Sequence, residues 1–143
     1  NSFTIGLNEF YDPNWLSSGA WGNYFSGTLK YTVPSTVPLP AGIGAYVSGE
    51  FGHYWFGTPD VFYAVPFIFP AGTAYPGYNT WNVGLGFTWK VFTLDLRYYD
   101  TDLSKVNCNI LTSDQTSNGL ESSWCGAAFV AKLSFDMTLG SLK

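Results

Sequence analysis

The chain has 143 residues, enough for one domain with a core and too few for a multidomain machine. Charged residues make up 11% of it, against about a quarter in ordinary globular chains, while aromatics reach 20% and glycine occurs 16 times, a balance that suits a thin-walled β-structure with an apolar exterior. A net charge of −4 without a basic cluster argues against a nucleic-acid partner. No run approaches the roughly 18 uninterrupted apolar residues of a spanning helix, and mean hydropathy is near zero at +0.05. A membrane protein of this composition is therefore a barrel whose inward positions are polar.

The first run, Ser2 to Phe10, alternates Phe3, Ile5 and Leu7 with Thr4, Gly6 and Asn8, the period of a strand, and breaks at the turn chemistry of Asp12-Pro13 and Ser17-Ser18-Gly19. From Trp21 to Val33, Phe25, Leu29, Tyr31 and Val33 fall on one face and Tyr24, Ser26, Thr28, Lys30 and Thr32 on the other. The proline-rich PSTVPLPAG ends that strand, since proline cannot donate to a sheet ladder. A third strand from Gly42 to about Trp55 opposes Ile43, Ala45, Val47 and Phe51 to Tyr46, Ser48 and Glu50. Gly57 to Tyr78, with its apolar patch VFYAVPFIF, reads as a large, partly structured loop apolar enough to fold inward or to pack on a neighbour.

The clearest pattern runs from Asn79 to Asp100. Trp81, Val83, Leu85, Phe87 and Trp89 alternate with Asn82, Gly84, Gly86 and Thr88, and after a tight turn Phe92, Leu94, Leu96 and Tyr98 alternate with Thr93, Asp95, Arg97 and Tyr99. Aromatics cap both ends of the apolar face, as in the girdles of a membrane barrel. A cysteine loop from about Thr101 to Trp124 precedes a last strand, Cys125 to Met137. Long connections after the first, third and fifth strands and short ones after the second and fourth match extracellular loops and periplasmic turns. No segment shows a helical period. Cys108 and Cys125 flank a polar segment outside the strands and read as one loop disulfide formed in an oxidising compartment.

The sequence WNVGLGFTWKVFTLDLRYYDTDLSKVNC, followed after an insert by WCGAAFVAKLSFDMT, resembles the closing strands of the TorF-family porins, bacterial outer-membrane barrels. The segments YDTDLS and WCG carry the resemblance most specifically; EFYDPNW and VPLPAGIGAYVSGEFGHYWFG match more loosely. The resemblance implies an envelope barrel with passive solute passage and supplies no catalytic residues.

His53 is the only histidine and has no spacing that builds a triad, so it reads as an interfacial side chain beside Tyr54 and Trp55, and the chain as no enzyme. Asp100 and Asp102 lack the glycine and distal glutamate of a calcium loop and read as caps of a loop start, so no cofactor or metal is expected. Lys30, Glu50, Asn82, Asp95, Arg97, Lys132 and Asp136 fall on the polar faces, where they either pair inside a narrow closed lumen or line an aqueous pore.

The expectation is a single all-β domain over residues 1–143, an antiparallel up-and-down transmembrane β-barrel of porin-like type in the outer membrane of a Gram-negative bacterium, its partner the membrane lipid. The alternative is a soluble or periplasmic β-barrel binding a small apolar ligand. Single-chain barrels begin at about eight strands, and about six are present here, so two edges need cover. That cover is expected from an upstream segment, or from another copy or a second envelope protein.

Overall fold

A computed structural model describes residues 2–40, 42–64, 67–114 and 120–136. Six strands form one antiparallel sheet in chain order: β1 (Phe3–Asp12), β2 (Gly22–Thr32), β3 (Ile43–Phe56), β4 (Tyr78–Trp89), β5 (Phe92–Thr101) and β6 (Ala128–Phe135). Each strand pairs with its sequence neighbour, so every connection is local. The sheet is not closed, because β1 and β6 are its two edges and are not paired with each other.

The period-2 alternation translates directly into two faces, because directly opposed residues of antiparallel strands share a side of the sheet. The register Ile5↔Leu29, Tyr31↔Val47, Val47↔Leu85, Leu85↔Leu96 and Leu96↔Ala131 carries one apolar face across all six strands. That face is uncovered: Ile5 is 77% exposed, Leu7 71% and Leu133 71%. Its turn-end rim holds Phe3, Tyr31, Trp89, Phe92 and Phe135, and its loop-end rim Tyr11, Trp55, Trp81, Tyr98 and Phe129, with a mostly aliphatic band between. Its ionisable acid and histidine side chains, Glu9, His53 and Asp100, each lie within three residues of the loop end of their strand.

The buried core does not lie beneath the sheet. Ala20, Phe56, Phe69 and Tyr75 cluster at the loop end, with Trp15, Tyr54 and Tyr78 packed against them. Phe69 and Tyr75 of the loop after β3 thus fold back over the polar face, while Val61, Phe62 and Phe67 of the same loop stay exposed, and burial pushes the Tyr75 phenol above its usual pKa. The aromatic rings interlock, Trp15 on Phe56 at 4.7 Å and Phe69 on Tyr75 at 5.2 Å between centroids.

Three sequence expectations are corrected. The cysteine loop contains a helix, α1 (Lys105–Thr112), started by Ser104, whose side chain accepts the Asn107 amide proton at 3.2 Å, and ended by Ser113 in the left-handed region. Two turns are too short to display a helical period, which is why the pattern gave no sign of it. The length asymmetry of the connections is also incomplete, since 33–42 after β2 is as long as 13–21 after β1, whereas 90–91 after β4 is a true tight turn with Lys90 at φ 53°. The last strand begins at Ala128 instead of Cys125, and Met137 lies outside the described residues. The disulfide forms as expected: Cys108 of α1 bonds to Cys125 across 5.8 Å between Cα atoms.

Candidate functional site: the polar wall

The polar face is built from rows of directly paired residues. One row runs Lys30–Ser48–Gly84–Arg97 and the next toward the turn end runs Thr32–Tyr46–Gly86–Asp95–Lys132. In both rows β4 contributes a glycine. Neighbouring strands lie about 4.8 Å apart, so side chains on β3 and β5 are separated by twice that and meet only if β4 offers no obstruction.

That passage is used twice. The Tyr46 hydroxyl, from β3, crosses over Gly86 and donates to Asp95 Oδ2 on β5 at 2.8 Å. Arg97, from β5, crosses over Gly84 and donates from Nη2 to Ser48 Oγ on β3 at 2.7 Å. A Cβ at position 86 would sit 1.9 Å from Tyr46 Cζ, and one at position 84 would sit 2.9 Å from Arg97 Cζ. Both side chains therefore lie flat along the wall.

The guanidinium is the hub. It donates from Nε to Asp95 Oδ1 at 3.1 Å, from Nη2 to Asp95 Oδ2 at 3.0 Å and from Nη1 to Asn82 Oδ1. This bidentate pair is the ion pair of the described residues, with each side chain about one-sixth exposed. Asn82 Nδ2 donates to Glu50 Oε2 at 3.3 Å, and the Tyr24 hydroxyl donates to Glu50 Oε1 at 2.9 Å while its ring covers Gly52. On the far side the Lys30 ammonium stands 4.0 Å from the centre of the Tyr46 ring. One connected network from β2 to β5 results, running sideways along the wall from neighbour to neighbour.

Of the expected lining residues, Lys30, Glu50, Asn82, Asp95 and Arg97 belong to this network. Lys132 shares the wall opposite Asp95 but is exposed and outside the network; it borders a cleft of about 260 Å³ with Tyr46, Thr93, Asp95, Arg97 and Ser134. Asp136 lies past the end of β6 at the turn end, where its amide donates to the Val91 carbonyl at 2.9 Å. Tyr24, Tyr46 and Ser48 are members that the sequence reading passed over. Their parity placed them on the polar face, but nothing local marks Gly84 and Gly86 as the floor that lets Tyr46 and Arg97 cross.

Toward the loop end the same face becomes aromatic. Phe10, Tyr24, Tyr54 and Tyr78 form one cross-strand row, with centroid spacings of 6.3, 4.3 and 4.9 Å, that merges with the buried cluster under the loops. An open cavity of about 310 Å³ lies there, lined by Phe10, Trp15, Tyr24 and Tyr54 with Asp12 at its edge.

His53 lies on the apolar face, its Nδ1 2.8 Å from Asn79 Oδ1 and its ring against Trp55 at 4.4 Å. Asp102, just past β5, accepts the Asn79 amide of β4 at 2.7 Å and so ties the start of the loop to the sheet, whereas Asp100 accepts the amide of its own β5 neighbour Thr101 at 2.9 Å. No group of three His, Cys, Asp or Glu side chains stands close enough to hold a metal among the described residues. Comparison with protein-family models, curated proteins and solved structures yields no match to this chain.

Proposed function

We propose that this chain forms part of the wall of a porin-like β-barrel in a bacterial outer membrane, passing small polar solutes along its polar face. The observation that carries the proposal is the pairing of two opposite surfaces on one sheet: a continuous, fully uncovered apolar face with aromatic rims, and a polar face whose hydrogen bonds close laterally. A sheet in water buries its apolar face, whereas a barrel wall turns it to lipid. β1 to β5, with 10 to 14 residues each, reach about 25 to 35 Å at about 3.3 Å per residue and a tilt of about 40°, enough for the apolar band of about 25 Å in such barrels, while the eight residues of β6 reach about 20 Å of it. The resemblance of the β4–β5 hairpin and the β6 region to the TorF-family porins points the same way.

The lateral network favours an aqueous lumen over a plugged one. Side chains that fill a narrow barrel pair across it; here Arg97, Asp95, Glu50 and Tyr46 find their partners on adjacent or next-adjacent strands and lie flat. Unpaired edges in hydrocarbon cost several kcal/mol per stranded polar group. In the membrane β1 and β6 are therefore paired by further strands, from the same protein or from another copy.

Two measurements test this. The full-length protein should require detergent or lipid to remain monodisperse, and it should give discrete conductance steps in a planar bilayer. A monodisperse protein in plain buffer would overturn the membrane reading and favour a soluble β-protein using the aromatic cavity; lipid dependence without conductance would leave a structural barrel and overturn passage.

A further inference from the structure

The fixed charges of this wall are sorted by height along the strands. At the loop end Asp12, Asp60, Asp102 and Glu121 are exposed, and Lys105 is the one lysine there among the described residues. On the turn side of Glu50 the balance reverses. Arg97 and Asp95 neutralise each other as a pair, which leaves Lys30 and Lys132 on the polar wall and Lys90 in the β4–β5 turn against Asp136. The loop end is thus acidic and the stretch toward the turn end basic, within one wall.

Building on the pore reading above, we infer that the channel rectifies, admitting cations from the loop end more readily than from the turn end. Clefts lined by charge of one sign concentrate ions of the other. With the loop side at positive potential, cations enter through the acidic mouth while anions enter through the basic end, and both accumulate inside. With the potential reversed, each ion meets a mouth of its own sign and the lumen is depleted. The effect needs charges that act across the lumen, so it is strong where the Debye length is about 10 Å, near 0.1 M salt, and vanishes where it is about 3 Å, near 1 M.

The test is the current–voltage curve of single channels of the full-length protein in potassium chloride. The turn side is identified in a Ser35→Cys variant, whose single free thiol a maleimide-bearing polymer too large to enter the lumen reaches from that side only. The expected result is conductance about twofold larger with the loop side positive at 0.1 M salt, falling to parity at 1 M as screening predicts. Asp12→Asn combined with Glu121→Gln should lower the ratio at 0.1 M, as should Lys132→Gln alone. Channels that conduct equally in both directions at 0.1 M, or better with the loop side negative, overturn the inference and leave the pore reading standing. Absence of conductance overturns both.

Discussion

Gly86→Ala tests the claim that the wall is built by side chains crossing a glycine floor. The added Cβ would lie 1.9 Å from Tyr46 Cζ and 2.1 Å from Cε1, against an ordinary carbon contact of about 3.5 to 4.0 Å, so the ring must lift by about 1.5 to 2 Å. Lifting it breaks the 2.8 Å bond to Asp95, worth about 1.5 to 3 kcal/mol for a charged acceptor. It also takes the ring from the Lys30 ammonium, a contact worth about 0.5 to 1 kcal/mol at an exposed site. Replacing a strand glycine by alanine returns about 0.5 to 1 kcal/mol of backbone entropy, so the net loss is about 1 to 3 kcal/mol. Urea unfolding of the reconstituted protein, followed by tryptophan fluorescence, measures it. In a Tyr46→Ala background the obstruction is gone, and Gly86→Ala should become neutral or slightly stabilising. Equal destabilisation in both backgrounds would refute the crossing as the reason for the glycine.

Arg97→Ala removes the hub and leaves Asp95, Asn82 and Ser48 without it, for an expected loss of about 2 to 3 kcal/mol by the same unfolding assay, and Arg97→Lys should restore little because an ammonium cannot reproduce the fork to Asp95. Leu85→Arg on the apolar face should cost about 2 to 4 kcal/mol in a bilayer; a change near zero there would mean that this face does not meet lipid. Cys108→Ser should cost about 3 kcal/mol by the chain-entropy estimate for a loop of this size, and intact mass should rise by two hydrogens on reduction of the parent; no mass change would contradict the bond. Because burial raises the pKa of Tyr75, its phenol holds its proton in the folded loop at pH values where the unfolded chain releases it. Loop packing should weaken as pH rises above about 10 and not below, with the 295 nm absorbance of tyrosinate titrating later in the parent than in a loop-unfolded Trp15→Ala variant.

The distribution of residues between faces was legible in the sequence, because alternation with period 2 is a local property of each strand. Trp81 to Trp89 and Phe92 to Tyr98 declare their apolar sides without reference to any partner, and parity alone puts Lys30, Glu50, Asn82, Asp95 and Arg97 on the other. The tight β4–β5 turn and the loop disulfide were legible for the same reason: the turn interrupts two alternating runs, and the two cysteines stand in an otherwise polar connection. What joins these residues was not legible. The crossing of Tyr46 and Arg97 depends on register, which places Gly86 and Gly84 between β3 and β5 partners 49 residues apart in sequence. The row of Phe10, Tyr24, Tyr54 and Tyr78 likewise draws one ring from each of four strands. α1 rests on a single serine cap and a disulfide to a distant residue, so no periodic signal announces it. Closure escapes the sequence too, since alternation dictates which side of a strand faces out but carries no information on how many strands stand beside it; tertiary pairing decides that, and here it leaves β1 and β6 as edges.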